Sequence, residues 1–384
     1  MLSFLQCHFP NASLKQWNDW RWQMQNAVQT WEDLERFVPL TPEERLGCLQ
    51  TQALFRLRLP PYILSLIDAN HAHCPIRRQA IPLPNEATCK EGELADPLGE
   101  EKHRPVEALV HRYADRALLL CTDSCPMYCR HCTRRRMTRG GHPLGKAAWA
   151  KALDHIAATP SIREVLLSGG EPGLLGDKTL EGLLKRLRAI PHVEIIRLGT
   201  RVPVTLPMRV TPAFARLLRR HAPLFVVTHF NHPKEVTPEA VRACGMLVDA
   251  GVPVENQAVL LRGINSSARI LEELFLACLR MRVRPYYLHQ LDVAQGIEHL
   301  RTPLRLGVEV LKQLEGKVSG LALPAFAVDL PGGGGKVRVA PEAVVAWEKE
   351  KTVLQNHEGQ HHVYPEPQET DCHCPYDEIW RKEV

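Results

Sequence analysis

The stretch CPMYCRHC, residues 125–132, places Cys125, Cys129 and Cys132 in the spacing C-x3-C-x2-C, directly after the apolar run ALLL at residues 117–120. Three thiolates cannot complete a four-coordinate metal site, so one corner of any metal centre here stays open for a ligand that the protein does not supply. An open corner indicates a centre that carries out chemistry.

Three close cysteines could also form part of a zinc site or pack as inert side chains. A zinc ribbon would need a second cysteine pair at matching spacing, and no cysteine lies between Cys132 and Cys244. In an iron–sulfur cubane, three thiolates hold three irons and leave the fourth free. We therefore favour a cluster over zinc.

The cysteine spacing after an apolar run resembles the signature of the radical S-adenosylmethionine (SAM) enzymes, and the longer string CPMYCRHCTRRR, residues 125–136, resembles their lysine 2,3-aminomutase branch. The resemblance implies a 4Fe-4S cluster on Cys125, Cys129 and Cys132, with SAM bound at the fourth iron. The string WNDWRWQ, residues 17–23, resembles the start of the free-standing aminomutases, so the likeness extends along essentially the whole chain.

Composition is that of an ordinary globular protein. The 384 residues are 45% hydrophobic and 24% charged, and a net charge of +5 comes from 48 basic and 43 acidic residues. The one dense basic run is RRR at residues 134–136, beside the cysteines, whereas a nucleic-acid-binding protein normally carries a long basic stripe. We therefore expect no nucleic-acid partner.

Targeting features are lacking in the sequence. No segment reaches the roughly 18 apolar residues of a membrane span, and the start MLSFLQCHF lacks the layout of a secretory signal. Twelve cysteines at irregular spacings, three of them in an open metal motif, are better kept reduced than paired. We expect a cytoplasmic protein without membrane contact.

The chain divides into three predicted regions: a helical region at 1–105, a strand–helix region at 106–300 and a C-terminal segment at 301–384. Six apolar runs that alternate with helical periodicity predict a parallel sheet, an α/β fold in which the sheet curls into an open barrel. These strands are predicted at Ala117–Thr122, Glu164–Leu167, Glu194–Leu198, Leu224–Thr228, Val254–Leu261 and Arg284–His289. The resemblance names this fold as the radical SAM partial (β/α)6 barrel.

The loop after the second predicted strand reads SGGEP, residues 168–172. Glycines at a strand end let backbone approach a ligand without a Cβ in the way. After the cluster loop, the string resembles the motif that binds the methionine amino group of SAM. The resemblance implies a SAM site made of Ser168, Gly169, Gly170, Glu171, His229 and Gln257, with Glu171 as the acceptor for the ammonium group.

The string PGGGGK, residues 331–336, lies beyond the predicted barrel. A phosphate-binding P-loop would need glycine at 330 and serine or threonine at 337, where this chain has Leu330 and Val337. A lysine carried by glycine-rich backbone can instead form an imine with pyridoxal phosphate (PLP). The string matches the PLP-binding string of lysine 2,3-aminomutases residue for residue, which implies that Lys336 is catalytic.

The remaining site residues follow from the resemblance alone. It places Arg112 and Arg116 near the PLP, and it places Arg134 at the substrate carboxylate. It assigns Asp292 and Asp329 to the ammonium group of a lysine side chain, and two carboxylates favour a cationic substrate.

The tail ends in DCHCPYD, residues 371–377. In free-standing aminomutases, a cysteine set in this region binds structural zinc together with one cysteine of a partner subunit. Here Cys372 and Cys374 match, but Asp377 and Ser267 stand at the other two positions. Zinc stays open, while the tail still implies a homo-oligomer.

The sequence thus predicts an isomerase that converts L-lysine to β-lysine, with an external flavodoxin- or ferredoxin-type electron donor. The alternatives are an aminomutase for another cationic amino acid such as arginine, an enzyme that modifies a lysine of translation factor P, and a non-catalytic iron–sulfur or zinc module. The long N-terminal region and tail argue against an enzyme that modifies translation factor P. Lys336 with its glycines argues against a non-catalytic module. Two further departures from close relatives are the string EPG at residues 171–173 and His289 in place of tyrosine. The second is near enough to Asp292 to leave the exact substrate open.

Overall fold

The computed structural model describes residues 2–138, 144–340 and 342–365. Contacts divide the chain into two compact units, residues 1–339 and residues 340–384. The first unit contains a helical N-terminal region and a large sheet, and the second contains a small sheet.

The large sheet has nine strands in simple chain order, each paired with the next. Strands β2 to β8 are parallel, whereas β1 and β9 are antiparallel to their neighbours at the two edges. The strands are β1 (Leu109–Tyr113), β2 (Arg116–Thr122), β3 (Glu164–Gly169), β4 (Ile195–Gly199), β5 (Leu224–Thr228), β6 (Val254–Leu260), β7 (Arg284–Gln290), β8 (Ala325–Leu330) and β9 (Gly335–Arg338).

All six predicted strands are confirmed as β2 to β7. The sheet continues past residue 300 through β8 and β9, which the sequence analysis did not predict. The boundary at residue 300 stays a prediction, but the PGGGGK string lies within the sheet as the turn of the β8–β9 hairpin. It therefore belongs to the same unit as the cysteines.

Amphipathic helices cover the outer face of the sheet. Helix α9, for example, buries Leu180, Leu183, Leu184 and Leu187, which recur on one helical face. The helices of this region are α8 (Lys146–Ala157), α9 (Asp177–Arg188), α10 (Val202–Thr205), α11 (Pro212–Arg219), α12 (Pro238–Asp249), α13 (Ala268–Arg280) and α14 (Leu304–Leu314). Their apolar faces form one continuous core with the strands.

The N-terminal region is helical, as predicted. Thr41 caps its helix and Glu44 completes the capping box. Residues 17–23 do not form one continuous helix, because Asp19 caps a new helix there. These helices are α1 (Leu2–His8), α2 (Leu14–Trp17), α3 (Trp20–Gln25), α4 (Trp31–Glu35), α5 (Pro42–Thr51), α6 (Pro61–Leu64) and α7 (Pro75–Ala80).

The N-terminal helices form a second core that includes Met127 of the cysteine stretch and Met208. The region therefore packs directly onto the predicted cluster loop. The second unit is an antiparallel sheet of β10 (Val344–Trp347), β11 (Lys351–Gln355) and β12 (His361–Pro365). Across the described ranges, no helix has both the length and the apolar character needed to cross a membrane.

Candidate active site

A cavity of about 840 Å³ occupies the concave side of the sheet. Alternate residues of the strands line it, such as Ile195, Arg197 and Gly199 of β4, because successive side chains of a strand point to opposite faces. Every predicted site residue in the described part of the chain lines this cavity: Arg112, Arg116, Cys125, Cys129, Cys132, Arg134, Ser168, Gly169, Gly170, Glu171, His229, Gln257, Asp292, Asp329 and Lys336. The possible zinc ligands Cys372 and Cys374 lie outside the described residues.

The cysteine stretch follows β2 as a series of turns, so contacts with other segments must fix its shape. Arg58 donates from Nη1 to the Cys125 carbonyl (3.0 Å) and to the Ser124 hydroxyl (2.9 Å). The Arg130 amide donates to the Gln79 carbonyl (2.9 Å). The N-terminal region thus holds both ends of the stretch.

A buried carboxylate, Glu86, makes the strongest of these contacts. Arg130 donates from Nε to both carboxylate oxygens (3.0 Å each) and from Nη2 to Oε2, and Arg135 donates to the same Oε2. The side chains of Glu86 and Arg130 are 0% exposed. Burial raises the pKa of Glu86, but Arg130 and Arg135 outweigh it and hold that pKa below its usual range.

The three thiols suit a cluster better than a single ion. Among the described residues, no three His, Cys, Asp or Glu side chains converge closely enough to hold one metal ion. A cubane spreads its three thiolates over three different irons, so its ligands need not converge on one point. Burial raises the pKa of Cys132 to about 11 and raises that of Cys125 well above its usual value, so binding of iron must displace their protons.

The two glycines of the SGGEP loop permit close packing against the cysteine loop. A Cβ at Gly169 would lie 2.6 Å from the Thr122 carbonyl oxygen, and one at Gly170 would lie 2.5 Å from that of Ser124. The Glu171 amide donates to the Ser124 carbonyl (2.8 Å). The glycines therefore join the two loops to each other, whether or not they also approach a ligand.

The carboxylate of Glu171 already has protein partners. Its Oε1 accepts from the Gly173 amide (2.8 Å) and from the Thr200 hydroxyl, and its Oε2 accepts from the Arg201 amide (2.6 Å). Its direct contact with an ammonium group stays a prediction. The structure shows that it ties the loops after β3 and β4 together.

Arg134 has a partner that the sequence analysis missed. Its Nε donates to Oε1 of Glu100 (2.8 Å), its Nη2 lies 2.7 Å from the same oxygen, and its Nη1 donates to Ser168 (3.2 Å). Glu100 lies about 30 residues earlier in a segment without regular pattern, so no local signal marks it. It fixes the guanidinium at the cavity wall.

Lys336 lies on β9 opposite Asp329 of β8. Its Nζ lies 2.5 Å from Asp329 Oδ2 and 3.1 Å from Nδ1 of His289. The glycine turn makes this pairing possible, because Gly332 and Gly333 adopt φ of 67° and 88°, which favour glycine. The lysine is therefore held inside the cavity and is not a solvated hairpin tip.

The surroundings of Lys336 fit a phosphate-bearing cofactor. The Arg112 Nη2 atom is buried without a hydrogen-bond acceptor among the described residues, and a Cβ at Gly335 would lie 3.5 Å from it. The Tyr113 hydroxyl accepts from the Lys336 amide (3.0 Å). Arg116 lies 4.0 Å from the Tyr113 ring and pairs with Asp115. A buried guanidinium nitrogen without an acceptor among the described residues suits a phosphate oxygen.

Titrating groups at this end of the cavity have shifted pKa values. Burial and the negative charge of Asp329 raise the pKa of Asp292 to about 7. Burial and the neighbouring Lys336 cation lower the pKa of His289 well below its usual value, and burial with the Arg201 cation lowers that of His229 to about 4. Both imidazoles are therefore neutral near pH 7.

Comparison with known proteins agrees with this geometry. Residues 119–274 match the family described as Radical SAM superfamily, and residues 311–382 match the family described as Lysine-2,3-aminomutase. The chain is 49% identical over 373 residues to the L-lysine 2,3-aminomutase of Fusobacterium nucleatum subsp. nucleatum, covering 96% of this chain and 87% of that protein. The chain belongs to the lysine 2,3-aminomutase family.

Other members of this family extend the comparison. The chain is 47% identical to the L-lysine 2,3-aminomutase of Clostridium subterminale, covering 95% of this chain and 89% of that protein. It is also 38% identical to the glutamate 2,3-aminomutase of Clostridioides difficile, covering 91% and 83%. Family membership brings a 4Fe-4S cluster and SAM, while substrates differ among these relatives.

We expect Glu86→Gln to weaken the cluster site specifically. Removing one partner from a buried ion pair typically costs about 3–5 kcal/mol, and here the freed guanidinium groups belong to the cysteine stretch. The free energy of unfolding should fall, and iron per folded chain should fall with it, measured after anaerobic reconstitution.

Glu44→Gln is the matched control, because Glu44 forms a buried pair with Arg77 in the same region without touching the cysteine stretch. It should lower stability while leaving iron per folded chain unchanged. Full iron content in Glu86→Gln would contradict the role given to this carboxylate.

Proposed function

We propose that this protein is a lysine 2,3-aminomutase that moves the α-amino group of L-lysine to the β-carbon. One observation carries the proposal: the three thiols, the glycine-borne Lys336 and the acidic pair Asp292 and Asp329 all line one cavity. When bound, the cluster with SAM supplies a radical able to take hydrogen from an unactivated carbon, and PLP supplies a π-system for nitrogen migration. The chain must orient the substrate between them and exclude water.

Lys336 would bond the cofactor. Its amine must lose a proton first, and two acceptors face Nζ: Asp329 Oδ2 and the neutral His289 Nδ1. Arg112, whose Nη2 has no acceptor in the described part of the chain, and Arg116 would hold the phosphate. The Tyr113 hydroxyl fixes the Lys336 backbone.

The two ends of the substrate meet opposite charges. Arg134 would bind the carboxylate, with Glu100 keeping its fork in place. At the far end, Asp292 and Asp329 would bind the side-chain cation. Asp329 is also the partner of Lys336, so its carboxylate would be shared between the lysine amine and the side-chain cation of the substrate.

Further parts of the proposal concern partners and location. An external flavodoxin- or ferredoxin-type protein would supply the electron, the chain would form a homo-oligomer, and it would act in the cytoplasm. Zinc on Cys372 and Cys374 stays open. These points rest on the family resemblance.

Lys336 should be the residue that carries PLP. Borohydride reduction of the reconstituted protein, followed by peptide mapping, should place the pyridoxyl group on the peptide that contains Lys336. Lys336→Ala should bind less PLP yet hold normal iron, because the thiols lie on the β2 loop. A label on another lysine would refute the assignment.

The substrate is tested directly. The reduced protein, incubated without air with SAM, PLP and each of lysine, arginine, ornithine and glutamate, should form β-lysine as its main product. Asp329→Asn should lower kcat/KM for lysine by about 30-fold or more, since an unpaired buried charge costs about 2–5 kcal/mol. β-Arginine as the main product would show that the substrate is arginine and not lysine. Preference for glutamate would overturn the role of both aspartates.

Affinity for lysine should rise with pH near neutrality. Burial and Asp329 raise the pKa of Asp292 to about 7, so its carboxyl is neutral below that pH and anionic above it, whereas the lysine ammonium stays charged until about pH 10. KM should therefore fall as pH increases from about 6 to 8.

Asp292→Asn should raise KM and remove this pH dependence. Asp249→Asn is the control, because Asp249 is exposed and pairs only with Arg282 among the described residues. A wild-type KM that is flat across the same range would count against a role for Asp292.

A further inference from the structure

Arg201, which the proposed function does not use, touches a predicted cluster ligand. It follows β4 at the carboxyl edge of the sheet and lines the cavity. Its Nη1 donates to Sγ of Cys129 at 2.7 Å. Among the described residues, no other side-chain N–H donates to a sulfur of the three motif cysteines.

The guanidinium is fixed in this position from its other sides. Its Nε donates to the His229 carbonyl (3.0 Å), and its Nη2 donates to Gln79 Oε1 (2.7 Å) and to Glu235 Oε1 (2.8 Å). All three nitrogens are thus engaged, and the side chain is 11% exposed. A swing away from Cys129 would break these hydrogen bonds and separate the cation from the Glu235 carboxylate.

Glu235 is itself held by backbone. Its Oε2 accepts from the amides of Asn231 and His232, and its Oε1 accepts from Gln79 as well as Arg201. The cation therefore belongs to a buried polar network. A guanidinium group that served only packing would not need a hydrogen bond to a thiol.

We propose that Arg201 sets the reduction potential of the cluster through Cys129. One electron from the external donor makes the cluster more negative, and an N–H donor with positive charge at a ligating sulfur stabilises that reduced form more than the oxidised form. Arg201 thereby raises the midpoint potential. It is a positioning residue, and the inference rests on the cluster assignment of the proposed function.

The test uses the full chain, reconstituted without air, as wild type, Arg201→Gln and Arg201→Lys. Redox titration followed by electron paramagnetic resonance gives the midpoint potential of each. For Arg201→Gln, the ratio of reduced to oxidised cluster at the wild-type midpoint should fall about tenfold, which is a shift of about 59 mV for one electron. Arg201→Lys keeps the charge without the fork, so its shift should be smaller.

Arg188→Gln is the matched control. Arg188 also ties backbone carbonyls, those of His221 and Val193, but it does not line the cavity. Its loss should leave the midpoint unchanged. An Arg201→Gln protein with full iron content and the wild-type midpoint would overturn the proposal.

A measurement on the wild-type protein tests the proposal even if a variant binds no iron–sulfur cluster. Protein grown with arginine carrying ¹⁵N in the guanidinium group should show a nitrogen coupling to the reduced cluster in pulsed electron paramagnetic resonance. Absence of any coupling overturns the proposal, and a coupling lost in Arg201→Lys supports it. If no form of the chain binds iron and sulfide, the proposed function is overturned and the role of Arg201 with it, whereas an unchanged midpoint in Arg201→Gln overturns only the latter.

Discussion

The buried carboxylate of Glu86 fixes the irregular segment that carries the three cysteines, on which the predicted site depends. Residues 123–134 have no strand or helix of their own, so their shape must come from partners elsewhere. Glu86 binds Arg130 within the cysteine motif and Arg135 just after it, and both guanidinium groups contact the same carboxylate oxygen, Oε2. A buried charge is costly unless it is paired. Conformations of the segment that keep Glu86, Arg130 and Arg135 together are therefore strongly favoured. The N-terminal region is therefore part of the cluster site, although its sequence indicated only helix packing.

Charged side chains of both signs line the cavity. Arg134 and its partner Glu100 lie beside Ser168 of the SGGEP loop, whereas Lys336 pairs with Asp329 on the β8–β9 hairpin. Asp292 interacts with both groups, because, besides burial, Asp329 and Glu100 raise its pKa, while Lys336 and Arg134 lower it. An amino acid with a carboxylate and a side-chain cation would find a partner of opposite sign for each of these charges, which is the basis of the proposed substrate.

The sequence alone predicted the features that depend on local residue patterns. The six parallel strands are short apolar runs between helical patterns, and the cysteine and glycine strings carry their chemistry in their spacing. It was insufficient for β9, which has only four residues after a run of glycines, and for β8, which no flanking pattern marked. Glu86, Glu100 and Arg201 were missed for another reason: each acts on a residue 34 to 72 positions away, and only the folded chain brings them together. The PGGGGK string was placed beyond the barrel because strand pairing of Asp329 with Lys336 is a register that sequence alone does not fix.

The pairing of Asp329 with Lys336 bears on substrate choice. The Lys336 cation offsets one of the two carboxylates, and the raised pKa of Asp292 weakens the other near neutral pH. Two unit charges about 4 Å apart interact by about 4 kcal/mol at an effective dielectric constant of about 20, which is roughly a thousandfold in affinity. In the proposed function, a substrate cation would gain from each ionised carboxylate that Lys336 leaves unpaired, and a substrate side-chain carboxylate would be repelled by it. The degree to which the site separates lysine from glutamate would therefore depend on how far Lys336 and the pH neutralise this acidic pair.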